Sequence, residues 1–177
     1  MKSTANRYGT VAIILHWTIA ALIFVLMGSG FRAAFMLDDA AKQAILKLHV
    51  PLGLLLILLT LLRLLWWVFI DTKPQPVAGT SRPQFIVAKA VQGMFYPAIL
   101  LMVASGMTMM AMSGAGDVLF GSAPGTLPDF TRYAPRLFHG LGAFLMIALL
   151  ALHIGGALFH QFIQKDGLLR RMWFGTN

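Results

Sequence analysis

Four long runs of apolar residues constrain this chain more than any motif within it. A helix needs about 20 apolar residues to cross the hydrocarbon core of a bilayer. Runs of that length cover about 9–31, 46–70, 85–112 and 136–164. With 58% hydrophobic and only 11% charged residues, the chain cannot cover a water-facing exterior. The sequence therefore predicts an all-α integral membrane protein, a four-helix bundle forming one membrane domain over residues 1–177. The first run is too long for a cleavable signal peptide and holds His16 and Trp17 inside it. Pro74, Pro76, Gly79 and Pro83 mark an extended connector over 71–83, and Pro97 predicts a kink or local loosening of the third span. The polar stretch over 113–134 also carries Phe120, Phe130 and Tyr133, so it is expected to fold over the end of the bundle.

Charge sets the orientation. The net +8 comes from 14 Lys and Arg against six acids, all of them Asp. These charges flank lipid-soluble segments and do not line a hydrophilic groove, which excludes a nucleic-acid binder. Lys2, Arg7, Arg63, Lys73, Arg82, Lys89, Lys165, Arg170 and Arg171 fall on one side of the membrane. Arg32, Lys42, Lys47, Arg132 and Arg136 fall on the other. Nine against five predicts that both termini are cytoplasmic.

Five histidines, His16, His49, His139, His153 and His160, lie within or at the ends of the spans, where an ionisable group is most costly. Singly, each reads equally well as a buried imidazole bonded to a neighbouring helix. His139 and His153, however, are 14 residues apart, on one helix face and separated by roughly 21 Å at ~1.5 Å per residue. The second and fourth spans both enter from the outer side, which gives His49 and His139 a common depth. His16 and His153 share an inner depth. Two trans-helix pairs at two depths suit two bis-imidazole haems, because six-coordinate iron takes one nitrogen from each side of a flat macrocycle.

Competing chemistries fit less well. Zero cysteines remove disulfides, thiolate metal sites and covalent haem attachment. No carboxylate lies inside the spans to complete a zinc or copper site, or to serve a proton pump or cation-coupled transporter. The late cluster Met107, Met109, Met110 and Met112 reads as packing or lipid-facing residues. Gly142 and Gly156, three residues after their histidines, leave room for a porphyrin edge or for close helix packing. Arg63 answers either a haem propionate, which a guanidinium binds bidentately, or lipid headgroups reached by snorkelling.

His16-Trp17, Gly30-Phe31-Arg32, His49-Val50, Arg63, His139-Gly140, and His153 followed by the run from Gly156 to His160, Lys165-Asp166 and Leu168-Leu169-Arg170 together resemble the bacterial cytochrome b561 family. These are small four-span di-haem b proteins of the cytoplasmic membrane, and the likeness covers nearly the whole chain. Gln161 departs from relatives that carry a second His there. The resemblance implies that His16, His49, His139 and His153 ligate two b haems. It also implies electron transfer between a membrane quinone and a one-electron partner, with superoxide oxidised at the outer face and ubiquinone reduced. Arg32 and Arg136, with Lys42, Lys47 and Arg132, would attract the anion, although Asp38, Asp39, Asp117 and Asp129 cut the outer balance to about +1. At the inner mouth His160 either bonds a quinone carbonyl or is satisfied by water and headgroups. Trp17 either packs on haem or anchors the interface, and Tyr8 and Lys165 are further candidates for the quinone mouth. The rival reading is a haem-b membrane-anchor subunit that relays electrons between quinone and a separate dehydrogenase or reductase. Both readings place the chain in a bacterial inner membrane, among lipid, and both leave dimerisation open.

Overall fold

The computed structural model describes residues 2–36, 38–77, 79–121 and 125–173. Four helices are long and apolar enough to cross a membrane: Thr10–Phe35, Asp39–Ile70, Arg82–Ser113 and Pro135–Gln164. The protein is an all-α four-helix membrane bundle, with no strand among the described residues. We label the helices α1 (Thr10–Phe35), α2 (Asp39–Leu65), α3 (Arg82–Ser113), α4 (Ala115–Phe120) and α5 (Pro135–Phe159). Two π-helical turns, Trp66–Ile70 and His160–Gln164, extend α2 and α5, and 3-10 turns cover Phe130–Arg132 and Leu168–Met172. Large apolar side chains remain exposed along the spans, among them Phe24 at 54%, Leu58 at 53% and Phe144 at 67%. Exposed apolar surface on that scale is stable against lipid and not against water.

Local chemistry explains the helix ends. The Asp38 carboxylate accepts the Ala41 N–H at 2.6 Å, so α2 begins at Asp39, seven residues ahead of the apolar run. Ser81 and Gln84 form a reciprocal capping box: the Ser81 N–H donates to Gln84 Oε1 at 3.0 Å, and the Gln84 N–H to Ser81 Oγ at 3.5 Å. That box starts α3 three residues before its apolar run. Pro135 opens α5, where its missing N–H costs nothing. Gly114, at φ 70°, ends α3 in the left-handed region open to glycine and lets α4 begin at once.

By contact, the chain divides into two compact units, and all four long helices contribute a segment to each. The first unit comprises Met1–Ile19, Leu59–Pro97 and Met146–Asn177; the second comprises Ala20–Leu58 and Ala98–Leu145. In the first unit Asp71, 7% exposed, ends the π turn after α2. Its carboxylate accepts the Ser3 N–H at 2.9 Å, the Ser3 hydroxyl at 2.8 Å, the Thr72 N–H at 2.9 Å and the Trp66 indole N–H at 3.1 Å. Burial alone would raise the Asp71 pKa, but these donors outweigh it and hold the carboxyl below the usual range. In the second unit Met110, Ala115 and Leu119 form an apolar cluster packed by Leu46, Val50, Leu127 and Phe130. The stretch over 113–134 thus folds against the ends of α2 and α3. Gln43 donates to the Gly125 carbonyl at 3.2 Å, and the Leu127 N–H donates to Asp39 at 3.1 Å. Residues 122–124 of that stretch lie outside the described residues.

Candidate functional site

Each unit contains one histidine pair. In the first, the rings of His16 on α1 and His153 on α5 stand 6.1 Å apart between centroids, their planes inclined by 64°. In the second, His49 on α2 and His139 on α5 stand 6.3 Å apart at 65°. These are the two partnerships expected from matched depth. A bond from a first-row metal to an imidazole nitrogen is about 2 Å, and the ring centre lies about 1 Å behind that nitrogen. Two axial imidazoles therefore stand about 6 Å apart across one iron, and both pairs fit that span. The described residues hold no group of three or more His, Cys, Asp and Glu that could bind a metal without such a macrocycle.

What holds each ring differs between the units. His49 Nδ1 lies 2.9 Å from the Ser29 hydroxyl, whose own proton goes on to the Leu26 carbonyl at 3.1 Å. His139 Nδ1 lies 3.0 Å from the Met102 carbonyl and 3.1 Å from Ser105 Oγ. That hydroxyl donates to the Leu101 carbonyl at 2.6 Å. Since a carbonyl only accepts, His139 carries its proton on Nδ1, and the Ser29 relay suits the same tautomer in His49. Nε2 is then free to bind a metal in both rings. α1 and α3 come close enough for these bonds because of two glycines. A Cβ on Gly30 would stand 3.2 Å from His49 Cε1, and one on Gly106 would stand 3.3 Å from His139 Cε1.

Among the described residues of the first unit there is no such oxygen ring. Phe95 packs edge-on to His153 at 5.6 Å, and Trp17 to His16 at 5.2 Å. His16 Nδ1 lies 3.3 Å from Arg63 Nη1. Arginine cannot accept a hydrogen bond, so this contact belongs to a His16 whose proton sits on Nε2. A ligating His16 would carry the proton on Nδ1, and the guanidinium would turn elsewhere. Arg63 Nε is buried and has no hydrogen-bond partner among the described residues. Of the two readings of Arg63, this unsatisfied donor favours an anion brought by a bound group over lipid headgroups.

The remaining expected residues have other neighbours. Trp17 donates from its indole to the Met172 carbonyl at 2.8 Å and meets Trp173 edge-on at 5.5 Å, which ties α1 to the C-terminal 3-10 turn. His160 Nδ1 pairs with Asp166 at 2.5 Å, both side chains being largely covered. The π turn and the left-handed Lys165, φ 54°, bring the chain back to make that pair. Asp166 also accepts the Leu168 N–H at 3.0 Å. Burial acts to raise its pKa, but the His160 and Leu168 bonds hold it below the usual carboxylate range. Water and headgroups are therefore not the partners of His160 Nδ1. Tyr8 donates its backbone N–H to the Arg171 carbonyl at 3.2 Å and meets Trp67 edge-on at 5.9 Å. Burial pushes its hydroxyl pKa up, against the pull of Arg63 and Arg171.

Arg32 is exposed at the end of α1. Arg136 is half-buried, and its Nη1 would lie 3.3 Å from a Cβ placed on Gly140, so the side chain folds along α5 across that glycine. Arg132 is engaged by Asp129 at 3.4 Å. Gly142 does not open space for a ligand: a Cβ there would stand 2.7 Å from Met102 Sδ, so its small size serves the packing of α5 on α3. Gly156 has nothing within 4 Å of its Cβ position. Reading the sequence assigned no role to α3 in this chemistry. Its contributions, the Met102 carbonyl, Ser105, Gly106 and Phe95, carry no charge and no metal-binding motif that would reveal them.

A family model described as prokaryotic cytochrome b561 matches residues 7–175. The chain is 32% identical over 173 residues to cytochrome b562 of Cereibacter sphaeroides, covering 93% of this chain and 94% of that protein. It is 28% identical over 175 residues to cytochrome b561 homolog 2 of Escherichia coli K12, covering 96% and 93%. A third relative, cytochrome b561 homolog 1 of the same organism, is 28% identical over 171 residues.

Proposed function

The chain belongs to the prokaryotic cytochrome b561 family, a family of membrane haem proteins that transfer electrons, and from that membership we propose that it binds two b haems and passes electrons from superoxide to ubiquinone. His16 with His153 and His49 with His139 are the proposed ligands. The observation that carries this reading is the pair of centroid separations, 6.1 and 6.3 Å, each suited to one iron. The haems would supply reversible one-electron transfer, while the protein supplies ligation, orientation and tuning.

The chain's own residues take the other roles. Arg32 and Arg136 attract the superoxide anion to the outer side, and Arg136, folded across Gly140 and without a carboxylate partner among the described residues, is the less compensated of the basic groups on α5 and its leading turn. Arg63 neutralises a propionate in the first unit. Trp17 holds the His16 ring from one edge while anchored to Met172. With its Nδ1–H given to Asp166, the neutral His160 ring keeps Nε2 as an acceptor for a quinol hydroxyl, and Lys165 and Tyr8, in the same unit, carry the donors that a quinone carbonyl needs. Two superoxide ions each lose one electron to become dioxygen, and the quinone takes both electrons and two protons to become quinol. The proposed location is the bacterial inner membrane, with both termini cytoplasmic.

Pyridine haemochrome analysis of the purified protein should give two haems per chain. The purified protein alone should then reduce ubiquinone when supplied with superoxide, and Arg32→Ala and Arg136→Ala should slow that reaction most at low ionic strength. A haem-replete chain that reduces quinone only with a second protein present would instead make it a membrane-anchor subunit. A chain that retains no haem would end the reading.

A further inference from the structure

Resting on the reading of the two histidine pairs as ligand pairs, we propose that Ser29, together with the Met102 carbonyl and Ser105, sets the iron site of the second unit at a lower reduction potential than that of the first. Ser29 and Ser105 are positioning residues, since they act through His49 and His139.

The inference starts from the partners of Nδ1. An imidazole whose Nδ1–H donates to oxygen gains electron density at Nε2 and becomes a stronger donor to a metal. A stronger donor favours the oxidised ion over the reduced one, which lowers the potential. In the second unit both rings have this support, and both supporting hydroxyls pass their own protons to helix carbonyls, of Leu26 at 3.1 Å and Leu101 at 2.6 Å. That relay fixes each serine as an acceptor toward its histidine. In the first unit, no oxygen among the described residues bonds the ring nitrogens of His153, and the group nearest His16 Nδ1 is the Arg63 guanidinium at 3.3 Å. A cation cannot accept from the ring, so neither ring of this unit has an oxygen partner among the described residues. Donor strength therefore sets the second unit low and the first high.

The two serines are not equivalent. Ser29 is the hydrogen-bond partner of His49 Nδ1, whereas His139 keeps the Met102 carbonyl if Ser105 loses its hydroxyl. Removing Ser29 should therefore shift the potential more than removing Ser105 does.

The test is a spectroscopic redox titration of the haem-loaded protein with Ser29→Ala, Ser29→Thr and Ser105→Ala, each with its haem content measured. Ser29→Ala should lose about tenfold of the site's preference for oxidised over reduced iron, which is about 59 mV upward for one electron. The potential of the first unit should stay where it was. Ser29→Thr, which keeps the hydroxyl, should restore the parent potential, and Ser105→Ala should move it less. His49→Ala and His153→Ala, each retaining one haem, identify which potential belongs to which unit, so the order can be read even where Ser29→Ala folds poorly. Two haems per chain with both potentials unmoved in Ser29→Ala would overturn the proposal and leave the ligand reading intact. So would a lower potential in the first unit than in the second. Full pigment in His49→Ala would instead overturn the ligand reading itself.

Discussion

The two units place a histidine pair at nearly the same separation and surround it with different chemistry. In the second unit neutral oxygens from α1 and α3 hold both rings, glycines admit those helices, and the nearby cluster of Met110, Ala115 and Leu119 is apolar. In the first unit aromatic edges and a buried guanidinium face the rings. The ends of this unit are tied by hydrogen bonds: Ser3 to Asp71, Arg7 to the Trp173 carbonyl at 2.8 Å, and Arg171 to the Gln75 carbonyl at 2.7 Å. Ring spacing answers to the ion that two imidazoles would share, so it is the same in both. The partners of each ring decide how that ion behaves, and there the units diverge.

The largest expected effect separates the units outright. On the proposed ligation, His153→Ala should remove the pigment of the first unit and His49→Ala that of the second, each leaving about half of the parent haem, because each would delete one of the two imidazoles that hold that haem. Haemochrome quantification reads this directly. Full pigment in either variant would break the comparison at its root.

Arg63 should show a change of sign. Its Nε is a buried donor without a partner among the described residues, and such a group costs about 1–3 kcal/mol. Arg63→Met should therefore leave the haem-free protein as stable as the parent or more so. If Arg63 holds a propionate as proposed, the same substitution in the haem-loaded protein would remove the partner of a buried anion, where losses of about 3–5 kcal/mol are typical, and the first unit should release its haem more readily. Thermal unfolding with and without haem gives both signs. Equal destabilisation in the two states would show Arg63 to be a packing residue. The second unit should not respond.

A smaller effect belongs to Gly30. A methyl group there would press on His49 Cε1 from 3.2 Å, and crowding of that kind costs about 1–3 kcal/mol. Gly30→Ala should displace the His49 ring from Ser29 and broaden the spectrum of the second unit alone. An unchanged spectrum with normal haem content would mean that the ring has room to give way.

The spans, the fold class and the two histidine partnerships were legible in the sequence, because each rests on a simple period. Apolar length reports a membrane helix, and a spacing of 14 residues reports one face at two depths. What surrounds the rings was not legible. The acceptor for His139 is a main-chain carbonyl, which every residue possesses. Ser29 and Gly30 looked like ordinary small residues of a membrane helix. Asp166 reaches His160 only because a π turn and a left-handed lysine reverse the chain, and neither has a strong sequence signature. For Gly142 the sequence left room for a ligand and close packing equally open, because both demand the same small side chain, and the structure shows packing on Met102.

The smallest expected effect concerns what ties the first unit together. The Asp71 carboxyl is held below its ordinary pKa by donors from Ser3, Trp66 and Thr72. A carboxylate depressed on folding stabilises the protein fully above its unfolded pKa, about 3.9, and progressively less as the pH falls through the folded value. Stability from this group should thus be flat between about pH 5 and 7 and should fall only below about pH 4. Asp71→Asn keeps one acceptor oxygen of two and should cost about 1–2 kcal/mol at neutral pH while removing that acid dependence. Amide exchange should quicken at Ser3, Gly9 and Thr72, since the Gly9 N–H donates to the same Ser3 hydroxyl at 2.9 Å. The haem band of the second unit should stay unchanged, because Asp71 and its donors Ser3, Trp66 and Thr72 all belong to the first unit. Exchange that quickened equally around Ser29 and Ser105 would show that the two units loosen as one, and the contrast between them would then lie in their chemistry and not in their stability.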